Sequence, residues 1–216
     1  MAGTGKTRVA ILISGRGSNM VALIEAARDP AYPAEIVLVL SNRPDAAGLA
    51  RAAHAGIPTR IIDHTAFPDR VTFDAALDAE LRAASVALVC LAGFMRILTP
   101  GFVAGWAGRM INIHPSLLPL FKGTHTHRQA LDAGVRLHGC TVHFVVPELD
   151  AGPIVAQAAI PVRQDDDPDS LADRVIVQER RLYPAVLALV AGGRARLEGE
   201  RVVMSEQAPE GVLFSV

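Results

Sequence analysis

Short apolar runs rich in β-branched residues alternate with Ala-rich stretches of helical spacing through the first half of the chain. Val9 to Ile13, Ile36 to Leu40, Thr59 to Ile62, Val86 to Leu91 and Met110 to Ile113 read as strands. Asn19 to Arg28, Ala46 to Ala55 and Val71 to Ala84 fall between them and read as helices. Such alternation implies parallel strands joined by helical crossovers, so an α/β, doubly wound, mostly parallel sheet is expected. Beyond His114, Pro- and Gly-rich loops separate two more runs, Thr141 to Val145 and Ile154 to Ile160. These lie close enough in sequence to pair antiparallel, giving the sheet a mixed C-terminal part. Asp167-Pro168 marks the start of a long helix reaching about Tyr183. Pro184 is expected to kink or interrupt it, Gly192-Gly193 to end it, and the segment from Arg194 to add a small hairpin.

A chain of 216 residues suffices for one substantial domain. The expected organisation is a flexible leader over residues 1–7 and a single domain over residues 8–216. A net charge of −1 without a Lys/Arg block argues against nucleic acid as a partner, because no basic face is available to neutralise phosphates. The apolar runs fall well short of the roughly 20 residues that span a bilayer, so no membrane partner is expected. The start lacks a signal-peptide pattern and reads as cytoplasmic. Cys90 and Cys140, each beside an apolar run, fit buried core positions better than a disulfide framework. Gly3-Thr4-Gly5-Lys6-Thr7 imitates the tail of a phosphate-binding P-loop. That motif needs a strand before it and a helix after it, whereas here a strand follows, so the segment reads as a loose leader.

Three places carry chemistry. Ser14-Gly15-Arg16-Gly17-Ser18-Asn19 stands where the first strand turns into the first helix, and its amides could hold a phosphate or simply make a tight turn. A dinucleotide is disfavoured, since Met20 replaces the third glycine and Ser41-Asn42-Arg43 offers no acid for a ribose diol. In Met110-Ile111-Asn112-Ile113-His114-Pro115, strand alternation puts Asn112 and His114 on one face at a strand's carboxyl end. An isolated Asn/His pair of this kind is as often a satisfied structural pair as a site. Asp150, in the turn Glu148 to Pro153, gains interest if it meets His114, because a carboxylate orients an imidazole and favours its charged form. Asn112 could then donate to developing negative charge. The histidines His125, His127, His138 and His143 show no spacing typical of a zinc site, so no metal is expected, and His143 reads as structural. Asp165, Asp166 and Asp167 read as a solvated acidic loop at a helix start.

Four segments, Asn112 to Pro119, Ala92 to Leu98, His125 to Leu131 and Leu149 to Pro153, together resemble the phosphoribosylglycinamide formyltransferase family. The resemblance runs from about Val9 to Gly193. It implies a Rossmann-like formyltransferase fold with a phosphate-binding N-terminal half and a folate-binding, catalytic C-terminal half. The implied reaction moves a formyl group from 10-formyltetrahydrofolate, as co-substrate, to the amine of glycinamide ribonucleotide in de novo purine synthesis. Asn112, His114 and Asp150 would be catalytic. Gly17, Ser18, Asn19 and Glu179 would bind the ribonucleotide. Arg70, Met95, Arg96, Ile97 and Leu98, with Asn112 and Asp150, would bind the folate. Ile176 and Thr124 depart from residues common in the family at those places. The alternatives are a formyltetrahydrofolate deformylase or a non-catalytic nucleotide-binding module, and the chain is expected to act as a monomer or homodimer.

Overall fold

A computed structural model describes residues 5–205. Seven strands form one sheet in the order β3-β2-β1-β4-β5-β6-β7. They are β1 (Thr7–Ile13), β2 (Ala34–Ser41), β3 (Thr59–Ile61), β4 (Leu88–Leu91), β5 (Met110–His114), β6 (Leu137–Phe144) and β7 (Ile154–Pro161). The first five are parallel, whereas β6 runs antiparallel to β5 and β7 antiparallel to β6. The mixed sheet expected from the sequence is therefore the observed one.

Alternate residues of each central strand feed two cores. Val9, Ile11 and Ile13 of β1 pack with Met20, Leu23 and Ile24 of α1 (Ser18–Ala27) and with Leu171, Val175 and Tyr183 of α6 (Pro168–Ala191). Ala10 and Leu12 face the opposite layer, built on Phe73, Leu77 and Leu81 of α3 (Arg70–Ala83) and on Phe102 and Val103 of α4 (Pro100–Gly105). Strands buried on both faces must be apolar at nearly every position, which is why β1 shows a continuous run rather than an alternating one. Among the described residues the remaining α-helices are α2 (Ala47–His54) and α5 (Thr126–Asp132).

Strand β1 pairs with β2 on one side and β4 on the other, so successive crossovers leave it in opposite directions. A crevice opens at such a switch point beyond the carboxyl ends of the strands. The glycine loop follows β1 there, and the segment Ala92 to Leu98 follows β4.

Three expectations need correction. Strand β1 begins at Thr7, inside the expected leader, because Thr7 N–H donates to Pro33 O (2.8 Å) and its hydroxyl to Ala191 O (2.9 Å). Lys6 Nζ also donates to Asp29 O, at 2.8 Å; residues 1–4 of that leader lie outside the described residues. Helix α6 runs uninterrupted through Pro184. A mid-helix proline costs about 3 kcal/mol, but Leu182, Tyr183, Val186 and Leu187 around it are all buried. Each such side chain contributes about 1.5–3 kcal/mol, which outweighs the break. Helices α4 and α5 were not anticipated: at 6 and 7 residues they are too short to display a helical period. The terminal hairpin is present as β8 (Ala195–Glu198) and β9 (Arg201–Met204).

Candidate active site

A cavity of about 890 Å³ occupies the crevice. The glycine loop, the segment after β4, the end of β5, the Asp150 turn and one face of α6 line it. A smaller hollow of about 440 Å³, around Arg8, Glu35 and Pro58, lies at the opposite ends of the strands and gathers no nucleophile or imidazole.

Asn112 and His114 share a strand face with Met110 at the carboxyl end of β5, and both line the cavity. The His114 side chain is 6% exposed and that of Asp150 8%. His114 Nε2 lies 2.9 Å from the carbonyl oxygen of Phe121. A carbonyl only accepts, so Nε2 carries a proton and Nδ1 is the nitrogen left for exchange. Nδ1 stands 3.5 Å from Asp150 Oδ2. The same carboxylate oxygen accepts the Gly123 N–H at 2.9 Å, which anchors Asp150 to the loop after β5. Asp150 itself adopts a left-handed backbone with φ 48°. The turn is pressed close to β6: a Cβ on Gly152 would overlap the carbonyl oxygen of Phe144, so only glycine fits there.

The Asn112 amide is set by a residue that sequence reading treated as structural. Asn112 faces His143 in the β5–β6 register, and its Nδ2 lies 3.2 Å from His143 Nε2. His143 Nδ1 is 2.9 Å from Phe144 O, so Nδ1 donates and Nε2 accepts from the amide. Burial holds His143 below the usual histidine range, which preserves this neutral acceptor. Only the β5–β6 register, absent from the sequence pattern, could have revealed the pairing.

At the other end, Gly17 is the N-cap of α1, with φ 69° and no side-chain cap hydrogen bond. The first amides of the helix therefore point unpaired toward the cavity, where an anion is favoured. Asn19 Nδ2 donates to Glu179 Oε2 at 2.7 Å, and Asn19 Oδ1 is buried without a partner. Burial raises the Glu179 carboxyl above the usual range.

Gly17, Ser18, Asn19, Glu179, Met95, Arg96, Ile97, Asn112, His114 and Asp150 all border the cavity, as do Ile176 and Thr124. Met95 and Ile97 are exposed to it as apolar surface. Two expected members stand apart. Leu98 turns into the α3/α4 core, and Arg70 sits at the exposed start of α3, outside the lining. His125 joins the lining, and so do Phe94 and His127, which had not been assigned to it. His138, behind them, is fully buried with Nε2 3.1 Å from His127 Nδ1, and burial lowers its pKa to about 4. Among the described residues no group of three or more His, Cys, Asp or Glu is placed to hold a metal ion. No helix among them is long and apolar enough to cross a membrane.

A family model described as formyl transferase matches residues 7–187. The chain is 47% identical over 189 residues to the phosphoribosylglycinamide formyltransferase of Escherichia coli (strain K12), covering 88% of this chain and 89% of that protein. It is 53% identical over 192 residues to the trifunctional purine biosynthetic protein adenosine-3 of Homo sapiens, covering 89% of this chain but only 19% of that longer protein. The crystal structure of glycinamide ribonucleotide transformylase 1 from Symbiobacterium toebii superposes with a TM-score of 0.91 at 44% identity, covering 94% of this chain and 96% of that one. These matches extend over both halves of the crevice, and the chain belongs to the formyl transferase family, among the phosphoribosylglycinamide formyltransferases.

Proposed function

We propose that Asn112, His114 and Asp150 carry the transfer of the formyl group of 10-formyltetrahydrofolate to the amine of glycinamide ribonucleotide. The observation that carries this reading is the meeting of the three side chains in one cavity, with His114 Nδ1 turned to Asp150. The neutral amine attacks the formyl carbon, a C–N bond forms, and the carbonyl oxygen gains negative charge. Asn112 has a second amide hydrogen beyond the one given to His143, and it donates to that oxygen; protonated His114 donates from Nδ1. Asp150 keeps His114 oriented and relays the proton that the amine loses toward the folate nitrogen, whose bond to the formyl carbon breaks.

In the same reading the amides of Gly17, Ser18 and Asn19 receive the ribonucleotide phosphate and Glu179 holds the same substrate. The folate lies against Met95, Arg96 and Ile97, with Asn112 and Asp150 at its reacting end. The side chain of Leu98 supports this wall from the core, and Arg70 serves only the exposed, acidic tail of the folate. The steps use side chains alone and need one subunit, consistent with a monomer or a homodimer. Both substrates are small soluble molecules, and we assign the reaction to the cytoplasm.

A spectrophotometric assay with 10-formyltetrahydrofolate, run with and without glycinamide ribonucleotide, tests the reading. Folate product formed only with the ribonucleotide supports transfer. Equal production without it makes the protein a deformylase, and none in either case makes it a non-catalytic binding module.

A further inference from the structure

The two substrate walls meet at one buried hydroxyl. Ser14, the first residue of the glycine loop, is 6% exposed. Its Oγ donates to Asn42 Oδ1 at 2.5 Å and accepts the Met95 N–H at 2.7 Å. Its own N–H donates to Gly93 O at 3.1 Å. The segment from Gly93 to Leu98 is irregular, and among the described residues both hydrogen bonds found for its backbone go to Ser14. One residue thus starts the phosphate loop and tethers the folate wall.

The loop is fixed from its other side by α2. Gly48 N–H donates to Gly15 O at 3.0 Å. A Cβ on Gly48 would lie 2.5 Å from Ile13 Cδ1, 3.0 Å from Gly15 O and 3.3 Å from Gly17 Cα. With α2 pressed against that side, any shift of the loop bears on Ser14 rather than on the helix. A buried serine with its hydroxyl hydrogen committed to Asn42 and a lone pair to Met95 has no slack to absorb that shift, since an unmet buried polar group costs about 1–3 kcal/mol.

We propose that Ser14 is a positioning residue that couples the two substrates: ordering of the phosphate loop by the ribonucleotide orders the Met95 segment, so each substrate tightens the binding of the other. The inference rests on the assignment of the glycine loop to the ribonucleotide and of Met95 to Ile97 to the folate. Coupling arises because the first ligand meets the cost of restraining the loop and the segment that Ser14 joins, and the second does not. Linkage requires the same factor in both directions.

The test uses the full chain with glycinamide ribonucleotide and with tetrahydrofolate, the deformylated product, which binds without reacting. Calorimetry gives the Kd of the ribonucleotide alone and at saturating tetrahydrofolate. Tightening of roughly fivefold or more is expected for the wild type, falling toward onefold in Ser14→Ala. Ser14→Cys, with a weaker donor and acceptor of similar size, should lie between. A wild-type ratio near one, or a wild-type ratio kept by either folded variant, overturns the proposal. Hydrogen exchange on the wild type needs no variant: the ribonucleotide alone should slow exchange of the Met95 amide about fivefold or more, matching that coupling, and an unchanged rate overturns the proposal. Gly48→Ala tests the underlying assignment separately. It should weaken the ribonucleotide and leave binary tetrahydrofolate binding intact; the reverse pattern, or no change in either, removes the glycine loop from the ribonucleotide site.

Discussion

Asn112 owes the direction of its amide to His143, whose unprotonated Nε2 lies 3.2 Å from Asn112 Nδ2 across the β5–β6 pair. Were Nε2 to gain a proton, two donors would face each other and the amide would turn. Burial depresses the His143 pKa, so the acceptor persists below pH 6.5, where a free histidine is charged. His143→Ala should lower kcat by about 10- to 100-fold through misorientation of Asn112. His143→Gln, whose side-chain oxygen can accept, should recover part of that loss. Steady-state kinetics with both KM values near wild type would place the effect on the chemical step; an unchanged kcat in the alanine variant would leave His143 with packing alone.

His114 and Asp150 are expected to act as one unit. His114→Ala should cost on the order of 10²-fold or more in kcat. Asp150→Asn keeps the size of the side chain but removes the carboxylate that His114 Nδ1 faces. The double variant should be little slower than the slower single one, because residues that share one step are not additive. Multiplicative losses would mean that each contributes separately.

Glu179 should trade stability for binding. Its folded pKa is raised above 4.5 by burial, so its contribution to stability is present at low pH and is lost as pH rises through the raised value. Glu179→Gln removes that cost while leaving Asn19 an acceptor. Its Tm should exceed that of the wild type by a margin that grows from about pH 4.5 upward, and its KM for the ribonucleotide should rise. A Tm difference that is flat with pH would contradict the burial argument.

The His127–His138 pair predicts acid sensitivity. His138 is lowered from 6.5 to about 4 and His127 is lowered as well, so the unfolded chain binds more protons between those values. The stability they contribute is full above pH 6.5 and declines as pH falls toward 4. Thermal denaturation across this range should show a shallower decline in His138→Phe than in the wild type.

Gly17 can be tested directly at the phosphate loop. With φ 69° and only 3.0 Å from an added Cβ to Met20 Cε and 3.1 Å to Gly48 Cα, valine is strained there and must displace the loop. Gly17→Val should weaken binary binding of the ribonucleotide about tenfold or more, on the scale of 1.4 kcal/mol of lost binding, with a much smaller change in the binding of folate alone. Equal losses for both substrates in a folded variant would put the phosphate elsewhere.

Much of this architecture is written in local pattern. The continuous apolar run of β1 and the Ala-rich spacing of α1 depend on neighbours in sequence, and so does the shared face of Asn112 and His114. What stayed hidden depends on chain segments meeting. Whether Asp150 closes on His114 turns on the path of the loop through Phe121 and Gly123, which no periodicity encodes. His143 reads as any strand histidine until the β5–β6 register pairs it with Asn112. Leu98 followed Ile97 in the motif but points inward, as an irregular segment has no alternation to assign its faces. The survival of α6 beyond Pro184 was likewise decided by tertiary burial against local preference.

Tyr183, in the middle of α6, places its hydroxyl 3.0 Å from the carbonyl oxygens of both Leu91 and Ile111. A single buried rivet thereby clamps β4 to β5 just before one strand gives way to the Met95 segment and the other reaches Asn112 and His114. Adjustment during a catalytic cycle is then confined to the lip of the crevice, downstream of the clamp, while the strand bodies serve as a rigid anvil. The spacing between the two sides of the crevice becomes a property of the body of the sheet rather than of the loops around it.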